Sequence, residues 1–344
     1  MKAILRHITT LFLVAAGLWA CSLVDEDLRD CETDYNLDYE LRLVTNMTTE
    51  LQTQLSLAAD VTVSNAIRAY LSNVFTDYAH DVDLSFFDVV EDSTILHHEA
   101  HIMDANQSSY TLYIPVRKYM HLAVANREAN EGIFLEGGSR CHEARLVQQV
   151  ADTVATHKSG IFTARLPMDI KEEENQQFDV RLYMANCATS LVVDTLGSHL
   201  KDLKVFLTGF ATEFDLCDSL YRFSYTPVVR ADEIPLPEPG TLCFASVNFP
   251  SREPEMSKVI IETDDPFVSE SAGHSLWQFK VYATLPDGKV TETILGLSKP
   301  LRSGELKVLK AKARENGQVS PGDPTVAVSV TLDWNPGLEI PVEI

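Results

Sequence analysis

The chain has 344 residues, 45% of them hydrophobic and 23% charged, a balance that packs a globular body and does not produce a disordered chain. Its 50 acidic residues outweigh 28 basic ones, for a formal net charge of -22. With no dense Lys/Arg run to neutralise phosphates, nucleic acid is excluded as the expected partner.

The first element is residues 1–20. Lys2, Arg6 and His7 precede the apolar run 8–18, and Leu18-Trp19-Ala20-Cys21 follows. This is a signal-peptide layout, because an apolar stretch of about eleven to thirteen residues falls short of the roughly twenty that span a bilayer as a helix. A lipobox requires an aliphatic residue three positions before the cysteine and a small one directly before it. Leu18 and Ala20 satisfy this, while Trp19 stands where a small or aliphatic residue is usual. The expectation is cleavage after Ala20 and lipid on Cys21, each buried acyl methylene contributing about 0.8 kcal/mol of membrane affinity. Asp25-Glu26-Asp27 resembles the export signal that sends Bacteroidota lipoproteins to the outer face of the outer membrane. Loss of Lys2 and Arg6 would leave 26 basic residues and a net charge of -24.

Residues 21–36 read as a flexible lipidated tether. From Leu37, the alternation of Leu37, Tyr39, Leu41 and Leu43 with Asp38, Glu40 and Arg42 is the period-two signature of a half-buried strand. Ile67, Tyr70, Leu71, Val74, Phe75 and Tyr78 then fall three and four apart, as on one face of a helix, with Ser64 or Asn65 as its cap. Strands follow at 82–87, 94–101, 110–116 and 119–126. The polar run 171–177 reads as a linker between a first domain at 37–170 and a second at 178–344. In the second, strands are expected at 178–184, 190–194, 203–207, 241–249, 258–262, 276–285, 305–311 and 325–334. Many short strands separated by turn residues point to an all-β fold with minor helix, one sandwich in each half.

Six cysteines stand at 21, 31, 141, 187, 217 and 243. Lipid on Cys21 leaves five, with no CxxC pair and no assignable connectivity, so they read as structural. His97, Glu99 and His101 would share one strand face and could converge on a cation. The spacing is not the helical HExxH of a zinc peptidase, and alternate side chains on a strand lie about 7 Å apart. A solvated strand face is the expectation, with no metal. Asp264-Asp265 beside Pro266 could bind calcium, but turn chemistry explains the pair as well. GxSxG, GxGxxG and phosphate-loop motifs are absent, so no catalytic residue and no cofactor are assigned.

Several of these patterns, in order, resemble the Bacteroidales FimB-type fimbrial anchor family. They are Leu28-Arg29-Asp30-Cys31, the helix leading into Val82-Asp83-Leu84-Ser85-Phe86-Phe87-Asp88, and the strands 110–116 and 119–126 read as a pair. Phe178-Asp179-Val180-Arg181-Leu182-Tyr183-Met184, Leu203-Lys204-Val205-Phe206-Leu207-Thr208-Gly209-Phe210 and Val330-Thr331-Leu332-Asp333-Trp334 complete the set. The family commonly turns between the paired strands on a glycine, which the region of Lys118 lacks. The resemblance implies two tandem transthyretin-like β-sandwich domains and an outer-membrane lipoprotein, exposed at the cell surface. It also implies a noncovalent partner, a fimbrillin subunit, joined by strand addition, with 335–344 as a candidate donor. The alternatives are a surface glycan- or host-ligand-binding lipoprotein, for which Trp277 and Trp334 are the aromatic candidates, and a fimbrial tip or stalk subunit.

Overall fold

A computed structural model describes residues 34–44, 54–55, 61–76, 79–90, 95–102, 109–171, 176–225, 227–237, 239–253 and 275–332. The expected signal segment, Cys21, Cys31, strand 258–262, Asp264-Asp265, Trp334 and the stretch 335–344 lie outside these residues. The elements begin with strand β1 (Asp34–Val44), helix α1 (Val61–Tyr70) and a 3-10 turn (Leu71–Asn73). Strands β2 (Asp81–Asp88), β3 (Ile95–Ile102), β4 (Ser109–Pro115), β5 (Lys118–Ala125), β6 (Ile133–Glu136), β7 (Arg145–Gln148), β8 (Thr153–Ala155), β9 (Phe162–Asp169) and β10 (Gln177–Met184) follow. Then come β11 (Cys187–Asp194), β12 (Asp202–Thr208), β13 (Glu213–Asp215), β14 (Leu220–Arg222), β15 (Val228–Arg230), β16 (Asp232–Ile234) and β17 (Thr241–Asn248). The described chain ends with β18 (Trp277–Thr284), β19 (Val290–Leu297), β20 (Leu306–Ala313), β21 (Val319–Pro321) and β22 (Ala327–Thr331).

Seven strands in the order β3-β2-β5-β9-β10-β1-β4 form the first sandwich. β9 and β10 meet at only two residue pairs, Tyr183 with Thr163 and Met184 with Phe162. That corner divides the sheet into a four-stranded layer (β3, β2, β5, β9) and a three-stranded layer (β10, β1, β4). Inward residues of both layers share one core, with Val82, Leu84, Phe86 and Ala123 from one and Leu112, Ile114, Val180 and Leu182 from the other. The strands expected as a pair are not paired. β4 bonds β1, β5 bonds β2 and β9, and Val116-Arg117 carries the chain between the layers. A two-residue hairpin would need positive φ, which glycine or asparagine supplies and Val116-Arg117 does not. On the outer side of β2 Asp83 is buried against Arg127, Nε to Oδ2 at 3.2 Å, and at the end of the strand Asp88, opposite Tyr119, pairs with Arg117 at 2.8 Å.

Helix α1 starts at Val61, so Ser64 and Asn65 lie inside it rather than at its cap, and the Ser64 hydroxyl donates to the Leu55 carbonyl at 3.1 Å. Val63, Ile67, Leu71 and Val74 continue the apolar stripe through the 3-10 turn into the first core. Tyr78 of the expected stripe lies outside the described residues.

The second sandwich packs a five-stranded sheet, β16-β17-β11-β20-β21, against a six-stranded one, β22-β19-β18-β12-β15-β8. Leu191, Val193, Val205, Phe279, Leu295 and Leu309 are among the residues of its core. The opposite face of the five-stranded sheet is also apolar: Ala188, Val192, Cys243, Ala245, Val247 and Val308 belong to the first core. Both faces of β11 are therefore covered, and seven of its eight residues are buried.

The polar run 171–177 connects β9 to β10 within the first sandwich, and the chain crosses to the second at Ala185-Asn186. The halves also interleave. β8 adds in parallel to β15 of the six-stranded sheet, and β6 and β7 join β13 and β14 in a four-stranded sheet at the junction. That small sheet has its own core of Ile133, Cys141, Leu146, Phe214, Cys217 and Phe249, together with Phe87 and Leu122 of the first sandwich.

Candidate functional site

His97, Glu99 and His101 stand on β3 at the register positions opposite Phe86, Leu84 and Val82. Their exposed neighbour His98 lies 3.6 Å from Asp83 Oδ1. Among the described residues, ligand-type atoms gather elsewhere. His142, Cys217 and Asp218 hold one each within 4.8 Å of one another, and Cys217 Sγ lies 2.7 Å from Cys141 Sγ. Neither grouping was legible as a motif, because Cys141 and Cys217 are 76 positions apart.

Histidines elsewhere in the described chain divide by burial. His121 stacks on Phe86 with ring centroids 4.2 Å apart, and its Nδ1–H donates to the Ser85 carbonyl at 3.0 Å. Burial lowers its pKa to about 4, the Ser85 bond partly opposing that shift. His157, lowered by burial to about 3, is the centre of a buried polar network at the junction. Its Nε2–H donates to Gln148 Oε1 at 2.8 Å, and its Nδ1 accepts from Asn186 Nδ2 at 3.2 Å. Asn130 Oδ1 accepts the Lys158 and Ser159 amides, and His157 N donates to the Val247 carbonyl. Every polar atom named here is used in holding residues 156–161 to both sandwiches, so His157 has no free nitrogen for proton transfer. His142 and His199 are exposed.

Trp277 is 1% exposed, packs on Phe210 and Phe279, and donates its indole N–H to the Lys299 carbonyl at 3.0 Å. It is a core residue and presents no face to a sugar.

The surface feature of the second sandwich is its last described strand. β22 bonds only β19, which leaves its other edge unpaired among the described strands of the sheet. Val328 and Val330 stand opposite Leu295 and Thr293, both buried, so these two valines are on the inward side of the strand. Val328 is nonetheless 41% exposed, and Leu332 just beyond it is 58% exposed. On the facing sheet the edge strand β21 is three residues long, too short to cover them. Two inward-facing apolar side chains and a free backbone edge are what an added strand would use: main-chain hydrogen bonds for affinity and alternate side-chain positions for specificity.

No family model matches the chain, and no curated protein does. Solved structures are similar in fold. A candidate adhesin from Bacteroides ovatus aligns with a TM-score of 0.50 at 10% identity, over 89% of this chain and 97% of that one. The fimbrial anchor protein Mfa2 from Porphyromonas gingivalis aligns at a TM-score of 0.49 and 9% identity, over 87% and 99%. A candidate polysaccharide-binding protein from Bacteroides thetaiotaomicron aligns at 0.48 and 10%, over 87% and 95%. The chain is an all-β protein of sandwich domains, and its overall fold is shared with the Bacteroides ovatus structure.

Proposed function

We propose that the chain is a lipid-anchored surface protein of a fimbrium, held in the outer membrane through Cys21 and bound noncovalently to a fimbrillin subunit by strand addition at the β22 edge. It performs no catalysis in this role. The observation that carries the reading is Val328, an inward-facing residue of an edge strand that is 41% exposed. The signal segment ending in Leu18-Trp19-Ala20-Cys21 supports the lipid, and the ordered resemblance to the FimB-type anchors supports the fimbrial partner. The absence of an accessible face on Trp277 weighs against the glycan-binding alternative.

A stalk role is the second reading, and β1 is the observation that favours it. β1 lies between β10 and β4, bonded on both sides, so removing it would open a groove one strand wide. Cleavage after Arg42 would cut β1 itself, and cleavage after Arg29 would cut the chain just before it. The deciding experiment is the N-terminus of the protein isolated from membranes. An acylated Cys21 on an uncut chain supports the anchor, a start after Arg29 or Arg42 rules it out, and of the two the start after Arg42, which removes most of β1, favours a polymerising subunit. Deleting the gene from a fimbriated strain is the second arm, where long shed fimbriae in the medium support anchoring and unchanged fimbriae with lost carbohydrate binding refute it.

A further inference from the structure

We infer that Cys141 and Cys217 are joined by a disulfide that staples the junction sheet between the two sandwiches in the exported protein. The inference rests on the export reading above, since thiols pair stably in oxidising compartments.

Cys141 opens the 3-10 turn between β6 and β7, and Cys217 lies in the turn after β13. β7 and β13 are hydrogen-bonded neighbours, Asp215 pairing with Arg145, so the register brings the two turns together at one end of the sheet. The sulfurs are 2.7 Å apart, inside the roughly 3.5–4.0 Å at which non-bonded heavy atoms rest. Two thiolates sharing a zinc ion, each about 2.3 Å from the metal, would stand about 3.8 Å apart. The approach therefore fits a covalent pair better than a shared metal, although His142 and Asp218 are close by. The other two described cysteines, on β11 and β17, have separate partners: Cys187 Sγ faces the Phe249 carbonyl, and Cys243 Sγ faces Ser190 Oγ. No rival pairing competes among the described residues.

The chemistry is thiol–disulfide exchange, with a disulfide of an envelope thiol oxidoreductase as oxidant. Solvent takes the proton of the Cys217 thiol while the turn is still open. The Cys217 thiolate attacks one oxidant sulfur, breaking that disulfide and releasing one thiol. Cys141 then attacks the Cys217 sulfur of the mixed disulfide, the Cys141–Cys217 bond forms, and the second oxidant thiol leaves. Two electrons and two protons pass from the cysteine pair to the oxidant. Cys141 and Cys217 are 1% and 3% exposed in the folded chain, so the exchange belongs to folding, before the small sheet closes.

The product would tie residues 76 apart, one in each half of the chain. A pull between the membrane and a bound partner would then meet a covalent link at the junction as well as the packed core.

The test is peptide mapping of the full-length protein from membranes, with free thiols alkylated before trypsin digestion without reductant. The expected result is peptide 141–145 linked to peptide 205–222, the link vanishing on reduction. Alkylated Cys141 and Cys217 in a chain whose Cys21 is acylated would overturn the disulfide while leaving export intact, and stoichiometric zinc held by those thiols would overturn it in favour of a metal site. If Cys21 is unacylated, the export reading fails separately. The purified chain treated with oxidised glutathione then decides the pairing, the same linked peptides supporting it and free thiols overturning it.

Discussion

Asn186 Nδ2 lies 3.2 Å from His157 Nδ1, and this contact settles which imidazole nitrogen carries the proton. An amide N–H can only donate, so Nδ1 accepts and Nε2 holds the hydrogen that Gln148 Oε1 receives. Asn186 is also the residue at which the chain crosses from the first sandwich to the second. Its Oδ1 accepts the Ile161 amide at 2.9 Å, and its Nδ2 also reaches the Ser159 carbonyl. One fully buried side chain thus ties the crossing point to the loop that touches both sandwiches.

Replacing Asn186 with alanine is expected to cost about 3 kcal/mol or more, because the Ile161 amide, the Ser159 carbonyl and His157 Nδ1 each lose a partner where water does not reach, at roughly 1–3 kcal/mol apiece. Chemical denaturation of the purified protein measures it. A loss below about 1 kcal/mol would show that the network is dispensable.

The two buried histidines give an acid limb to the stability curve. Burial lowers His121 to about 4 and His157 to about 3, from an ordinary 6.5. Between pH 6.5 and 4 the unfolded chain binds a proton at each histidine that the folded chain refuses, so stability is full above 6.5 and falls as the pH drops. Each group contributes a slope near about 1.4 kcal/mol per pH unit. His121→Phe keeps the stack on Phe86 and should flatten the curve near pH 5 by about that amount, at a cost of about 1 kcal/mol at pH 7 for the lost hydrogen bond to the Ser85 carbonyl. Denaturant midpoints at about pH 7, 6 and 5 decide it, and an unchanged slope refutes the assignment.

Strands that alternate apolar and polar residues, such as β10 and β12, were legible in the sequence because one face meets a core and the other meets solvent or polar groups. β19 was not, since its inward positions include Thr291 and Thr293, both buried, which bond the Asn316 carbonyl and the Val319 amide. β9 was hidden by Pro167. That proline is tolerated because β10 reaches β9 only at Phe162 and Thr163, so β9 has a single neighbour where the proline sits. β8, β13 to β16 and β21 are three residues long, too short to show a period. Of the candidate sites, Cys21 rests on a local motif and lies outside the described residues. The Cys141–Cys217 contact and the exposed inner face of β22 depend on sheet register, which no local spacing encodes.

Gly160 marks a close approach that also escaped the sequence. A methyl group there would stand 1.9 Å from the Val74 carbonyl oxygen at the end of the helical segment, and that atom is backbone. Gly160→Ala should therefore shift the 156–161 loop and cost about 1–3 kcal/mol. Thermal unfolding of the variant is the measurement, and an unchanged midpoint would mean that the loop moves without penalty.

The β22 edge supplies the test that separates binding from folding. Val328 points to the inner side of the strand and Ser329 to the outer side, opposite Ile294. Both are exposed, so a lysine at either should change stability by about 0.5 kcal/mol or less. A partner strand that fills the open inner edge would contact Val328 and pass by Ser329. Val328→Lys should weaken binding to the proposed fimbrillin partner by at least about tenfold, equivalent to about 1.4 kcal/mol, through the burial of an unpaired charge. Ser329→Lys should leave it unchanged. Titration of the purified subunit against both variants gives the answer: equal affinities would move the interface away from β22, while a loss confined to Val328→Lys would locate the added strand on the inner side of this edge.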